Sequence, residues 1–164
     1  PTFVDMDPPE HMKYRGMVEA WFTPEKVKSM QPYIDKTVND LLERMKNKGC
    51  ANGPVDLVEE FALPVPSYII YTILGVPFED LEFLTTQNSV RTNGSSTARE
   101  ASAAASVLLR YIGDLVDKRT QEQKDDLISL LVAEQIKPGK LSREDAVQMA
   151  FLLLVAGNAT LVNM

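Results

Sequence analysis

The sequence has very few of the residues that build metal sites and disulfides. Its 164 residues include one cysteine, Cys50, and one histidine, His11. One cysteine excludes an intrachain disulfide and fits a reducing compartment, and one histidine excludes a multi-histidine metal site. Because Cys50 lies in a polar turn with no accompanying histidine or acid motif, the pattern does not indicate a catalytic thiol.

Positive charge and long apolar runs are also scarce. The 17 Lys and Arg residues are outnumbered by 23 Asp and Glu residues, which leaves a net charge of −6. This balance argues against nucleic acid or an anionic membrane as the main partner. The longest apolar run, over residues 150–157, is far too short to span a bilayer. We therefore expect an intracellular protein, either cytoplasmic or mitochondrial.

Strand signals are nearly absent, whereas helical signals follow one another along the chain. Proline and capping residues predict helix starts near Asp7, Thr23 and Ser142. A long helix with an alanine-rich first half is expected from about Thr97. The helix that starts at Asp7 is expected to run to about Trp21. The predicted fold class is mainly α, and residues 1–164 are expected to form a single partial domain.

His11 and Arg15 form the first candidate site. They are four residues apart on a predicted helix, so their side chains project from one face as neighbours. Two cationic or hydrogen-donating groups in this arrangement suit a pair of carboxylates or a phosphate. The alternative is that Arg15 pairs with Glu19, also at a spacing of four, while His11 lies at the surface.

The second candidate site is the string Ala-Gly-Asn-Ala-Thr over residues 156–160, near the end of an apolar helix. A glycine inside a helix costs roughly 1 kcal/mol relative to alanine, and a buried threonine hydroxyl needs a partner. Ala156 and Thr160 share a face, and small residues there would let a flat ligand lie against the backbone. A close helix–helix crossing would use the same small residues and remains the alternative.

Together the two motifs resemble the soluble cytochromes P-450. Asp-Pro-Pro-Glu-His-x-x-x-Arg over residues 7–15, followed by Phe-Thr-Pro, is similar to their propionate-binding helix. Leu-Leu-x-Ala-Gly-x-x-Thr over residues 153–160 is similar to their distal helix. The resemblance implies a partial cytochrome P-450 fold, with helical segments up to the distal haem helix. Residues 61–68, 91–97 and 156–160 more narrowly resemble the fungal nitric oxide reductase branch.

The resemblance implies which residues bind haem b and which lie on the path that supplies protons to it. His11 and Arg15 would bind the haem propionates. Ala156, Gly157 and Thr160 would line the distal haem face. Thr160 would also lie on a proton path or place the nicotinamide, and Asn158 would help to hydrate that path.

Two further residues match the nicotinamide cofactor channel of the reductase branch. Arg91 corresponds to a basic residue that suits a pyrophosphate. Asp5 corresponds to an acid in the charge network of that channel. For either residue a surface salt bridge is the alternative.

Ala159 distinguishes between two kinds of chemistry within the family. This family usually carries an acid directly before the threonine, and a methyl group cannot shuttle a proton. The resemblance therefore implies reduction of nitric oxide to nitrous oxide with NADH or NADPH, and no separate redox partner. A conventional monooxygenase with a redox partner is the enzymatic alternative. A haem-free helical interaction module is the non-enzymatic one.

The motif for the iron ligand of the family, Phe-x-x-Gly-x-x-x-Cys, does not occur in the sequence. Cys50 does not match it, so the axial cysteine is expected downstream of Met164. The Glu-x-x-Arg motif and most of the β-structure of the family are missing as well. We expect that these 164 residues alone do not bind haem stably, because the axial thiolate would be lacking.

Overall fold

The computed structural model describes residues 2–49 and 52–159. The described part contains eight α-helices: α1 Glu10–Gly16, α2 Pro24–Ser29, α3 Gln31–Gly49, α4 Pro64–Leu74, α5 Leu81–Thr92, α6 Ala98–Gln121, α7 Leu127–Leu131 and α8 Arg143–Ala159. No strand occurs in these ranges, in agreement with the predicted mainly α class. None of the described helices is both long and apolar enough to cross a membrane.

Local side-chain caps explain where three of these helices begin. The Thr23 hydroxyl accepts a hydrogen bond from the Lys26 N–H at 3.2 Å at the start of α2. Thr97 and Glu100 bond reciprocally at the start of α6. The Ser142 hydroxyl accepts from the Asp145 N–H at 3.0 Å before α8. These starts are confirmed, because a cap depends on residues only three positions apart.

The predicted first helix, from Asp7 to about Trp21, is wrong in its extent. The α-helix begins at Glu10, after the two prolines, and ends at Gly16. At that end the N–H groups of Met17 and Val18 bond to carbonyls three residues back. This tighter pattern closes the helix, and a separate 3-10 helix follows over Glu19–Phe22.

The core lies where α8 packs against both α4 and α6. Leu74, Leu108, Ile112 and Leu154, which come from these three helices, are fully buried. Helix α4 also contacts α3 and α5, so neighbouring helices cover it on several sides. This arrangement fixes α8, whose last turns carry Ala156, Gly157 and Asn158 of the second candidate site.

A buried ion pair ties the end of α4 to α6 and α7. Arg119 Nε donates to Asp126 Oδ2 at 2.6 Å, and Arg119 Nη2 donates to the Gly75 carbonyl at 2.6 Å. Gly75 has φ of +86°, and a Cβ there would lie 2.3 Å from Asp126 Cγ. The junction therefore needs glycine at this position for both its backbone conformation and its close approach.

Candidate functional site

His11 is held in a defined orientation on α1. Its Nδ1 atom lies 2.8 Å from the Phe3 carbonyl oxygen, and the Phe3 ring packs edge-on against the imidazole. A carbonyl oxygen can only accept, so Nδ1 carries the proton of this bond. The imidazole is half-buried, and Nε2 is the nitrogen left to meet another group. Nε2 can donate a hydrogen bond to such a group only when both ring nitrogens carry a proton.

Arg15 is exposed and forms no ion pair with any described residue, so the alternative pair with Glu19 is not present. Arg15 and Glu19 instead both line a cleft of about 290 Å³, and Leu153 of α8 lines the same cleft. The cleft brings α1 next to α8, which the sequence separates by more than a hundred residues. The two candidate sites are therefore neighbours in the fold.

The last turns of α8 present different residues to different sides. Ala156 is exposed, and Leu153, three residues earlier, lies on the same face. Gly157 instead faces α4, because a Cβ at this position would lie 2.9 Å from Ile70 Cβ. The side-chain position of Gly157 thus serves the helix crossing that the sequence left as an alternative. Thr160 lies outside the described residues.

Asn158 points into the core between α8 and α4. It is fully buried, and its Nδ2 donates to the Leu154 carbonyl at 3.0 Å and to the Tyr71 hydroxyl at a long 3.4 Å. Its Oδ1 atom has no partner. Burial raises the pKa of Tyr71 to about 12, so this hydroxyl is neutral at physiological pH. Asn158 therefore does not share the exposed face of Ala156.

Arg91 lies in the last turn of α5, and its side chain is half-buried. Its Nε and Nη2 atoms both donate to Asn88 Oδ1, at 3.2 and 3.1 Å. Burial lowers the pKa of Arg91, and the proximity of Tyr71 opposes this shift. No described carboxylate pairs with Arg91, so the alternative of a surface salt bridge is not present.

Asp5 is an exposed carboxylate at the end of a 3-10 helix over Phe3–Asp5. It accepts hydrogen bonds from the Thr2 N–H at 2.9 Å and from the Thr2 hydroxyl at 3.1 Å. These bonds lower the pKa of Asp5. Its contacts in the structure are thus local, and no ion pair joins it to Arg91 or to another described residue.

Sequence reasoning missed two buried polar residues near the candidate site, Tyr71 and Asn88. Both are fully buried. Asn88 follows the buried Leu81 and Leu84 at helical spacing, so it occupies a core position of α5. This polar residue at an otherwise apolar position of the helix pattern is the sequence signal by which Asn88 could have been identified. Tyr71 carried no such signal, because a tyrosine in an apolar helix is ordinary core packing.

The residues present fit a haem group. His11 and Arg15 supply donors for two carboxylates, and Arg15 forms no ion pair with an acid among the described residues. The cleft that Arg15 shares with Leu153 opens beside the α8 face that bears Ala156. Within the described ranges no group of three His, Cys, Asp or Glu side chains forms a metal site of its own.

Known proteins similar to this chain match it over its whole length. Cytochrome P450 55A3 of Fusarium lichenicola is 64% identical over 164 residues, which cover 100% of this chain and 40% of that protein. Cytochrome P450-SU2 of Streptomyces griseolus is 40% identical over 164 residues, covering 100% of this chain and 39% of that protein. No protein-family model matches the chain.

Solved structures agree with the sequence relatives. The crystal structure of GfsF superposes with a TM-score of 0.93 at 37% identity, covering 99% of this chain and 40% of that one. Cytochrome P450 MoxA from Nonomuraea recticatena gives 0.90 at 34% identity, covering 99% and 40%. The chain thus spans about two fifths of the length of these relatives, and the partial fold predicted from the motifs is confirmed. The chain belongs to the cytochrome P450 family.

Proposed function

We propose that the chain is the distal part of a haem-thiolate oxidoreductase that reduces nitric oxide to nitrous oxide with NADH or NADPH. The observation that carries the proposal is the cleft shared by Arg15 of α1 and Leu153 of α8. It sets the guanidinium of Arg15, which lies four residues from His11 on α1, beside α8 at the residue three positions before Ala156. The motifs that resemble the reductase branch, and Ala159 among them, favour this activity over oxygen insertion.

His11 and Arg15 would hold haem b by its two propionates. When bound, the haem supplies an iron centre at which a small gaseous substrate binds and accepts electrons. His11 would donate through Nε2 while Nδ1 remains on the Phe3 carbonyl. Ala156 and the backbone of Gly157 would line the distal face.

Proton handling would depend on the residues after Gly157. Thr160 would hold a proton on its hydroxyl or place the nicotinamide, whereas the methyl group of Ala159 can do neither. Asn158 would hydrate the path, because its buried Oδ1 atom has no partner and can accept a hydrogen bond from a water. Without an acid at residue 159, the chain is poorly equipped to deliver the protons that splitting dioxygen requires.

Arg91 would bind the pyrophosphate of the nicotinamide cofactor, with Asp5 in the charge network of the same channel. The half-buried guanidinium with no carboxylate partner supports the role of Arg91. Because NADH would deliver its hydride directly, no separate redox partner would be needed. We further propose that residues 1–164 belong to one domain and that the enzyme is intracellular, cytoplasmic or mitochondrial, where reduced nicotinamide cofactors are available.

The proposal is tested with a full-length, haem-loaded enzyme that contains this sequence. NADH or NADPH is added under anaerobic nitric oxide with no other protein present. We expect the stoichiometry 2 NO + NADH + H⁺ → N₂O + H₂O + NAD⁺. Gas analysis measures the nitrous oxide formed, and absorbance measures the NADH consumed. An enzyme that needs a separate electron carrier and inserts oxygen into an organic substrate would be a conventional monooxygenase. A protein that takes up no haem would be a helical interaction module. Either result contradicts the proposal.

A further inference from the structure

The hydrogen bonds of Arg91 go to a neutral side chain, although its guanidinium is half-buried. A cation held partly away from water is usually compensated by a carboxylate. Among the described residues no acid pairs with Arg91. Its charge is therefore available to an anion that arrives from outside, in surroundings where attraction is stronger than in bulk water.

The side-chain oxygen of Asn88, Oδ1, accepts both hydrogen bonds from Arg91. A guanidinium has only donors, so the amide must turn Oδ1 toward it and Nδ2 away from it. That orientation leaves Asn88 Nδ2 buried without a partner. An unpaired buried donor costs free energy, and a leucine at this core position would avoid the cost. The bond from Asn88 to Arg91 thus has a use other than stability.

The neutral amide orients the guanidinium without neutralising it. Two of the five N–H groups of Arg91, on Nε and Nη2, are bound to Asn88 Oδ1. Three N–H groups remain for a planar, two-point contact with phosphate oxygens. An aspartate would hold the same geometry but would also cancel the charge. A leucine would leave the charge but release the orientation.

We propose that Asn88 is a positioning residue that holds Arg91 oriented and uncompensated for the diphosphate of a dinucleotide cofactor. The identity of the ligand rests on the proposed function, whereas the geometry of the pair does not. Asn88 touches neither cofactor nor substrate in this role. It acts through Arg91 alone.

The test compares Asn88→Asp and Asn88→Leu with Gln87→Glu, which adds the same charge one residue away on α5. All are made in the full-length, haem-loaded enzyme. Binding of ADP-ribose, which carries the diphosphate but transfers no hydride, is measured by calorimetry. We expect Asn88→Asp to weaken binding about 10-fold or more and to raise KM for NADH in parallel, with kcat within about 2-fold. Asn88→Leu should be intermediate, and Gln87→Glu should stay within about 2-fold of the wild type.

A double-mutant cycle separates positioning from general damage. In an Arg91→Gln background, Asn88→Asp should cause no further loss of ADP-ribose binding, because the group it acts on is gone. Should Asn88→Asp lose haem, Asn88→Ser keeps a smaller neutral acceptor and is expected to show a raised KM with normal haem content. Wild-type binding by Asn88→Asp, or equal losses in both backgrounds, overturns the inference. Failure of the proposed function looks different, since the wild type itself would then consume no NADH with nitric oxide.

Discussion

The Nδ1 atom of His11 lies 2.8 Å from the carbonyl oxygen of Phe3, eight residues earlier. This bond holds the imidazole on the side of α1 that carries Arg15. It also decides which nitrogen is left for a ligand, because the carbonyl must be met by the protonated Nδ1. The orientation of the proposed propionate clamp is thus built into the chain before haem binds.

Removing either donor should loosen haem without unfolding the protein. His11→Phe and Arg15→Leu each delete one charge-assisted hydrogen bond, worth about 1.5–3 kcal/mol. We expect the loss of haem to an excess of apomyoglobin to accelerate about 10- to 100-fold in the full-length enzyme. Lys13→Leu, on the same helix, is the control and should leave the rate unchanged. Equal rates for all three variants would contradict the assignment.

Gly157→Ala should destabilise the crossing of α8 over α4. The added methyl group would lie 2.9 Å from Ile70 Cβ, an atom that no rotamer change can move. Overpacking of this kind costs about 1–3 kcal/mol. Gly16→Ala in α1 meets nothing within 4 Å and serves as the control. Thermal unfolding should show a lower midpoint for Gly157→Ala alone, and equal midpoints would show that α8 can shift away.

The buried ion pair and an exposed one should differ in their effect on stability. Asp126→Ala leaves Arg119 buried without its counter-charge, and we expect a loss of about 3–5 kcal/mol. Asp117→Ala breaks the pair with Arg143 on the surface and should cost about 1 kcal/mol or less. Denaturant unfolding measures both. Similar losses would mean that Arg119 finds water or another partner.

Tyr71 should make stability fall at high pH. Its pKa is raised from 10.0 to about 12 in the folded chain, so between these values the folded state keeps a proton that the unfolded state has lost. The free energy of unfolding therefore decreases as pH rises through this window. Tyr71→Phe should make the decrease shallower by up to about 1.4 kcal/mol per pH unit. Tyr14→Phe is the control, and identical slopes in both variants would refute the assignment.

Ala159→Glu should not increase nitric oxide reduction. It restores the acid that the family usually carries before the threonine, which serves dioxygen cleavage rather than the proposed reaction. We expect NADH consumption with nitric oxide to stay equal or fall, measured as initial rates in the full-length enzyme. Ala159→Gln controls for side-chain size. A higher turnover with glutamate alone would show that the alanine limits the reaction.

The sequence by itself determined the features that depend on neighbours a few residues apart. The caps at Thr23 and Ser142 formed as predicted, because their hydrogen bonds close within one helical turn. The helix expected from about Thr97 also begins there, with a cap that the structure adds. The spacing of four between His11 and Arg15 likewise put both on α1. The two motifs together were enough to indicate the family. The extent of the first helix was missed, since its end depends on a switch of backbone bonding after Gly16.

Only the tertiary structure decided which way Ala156, Gly157 and Asn158 of the second motif face. Packing of α8 against α4 turns Gly157 toward Ile70 and Asn158 toward Tyr71, and leaves Ala156 exposed. Helical spacing alone could not tell which side would be covered. The shared cleft of Arg15 and Leu153 joins parts of the chain far apart in sequence. Such contacts are set by the burial of whole helix faces, a property that no local pattern contains.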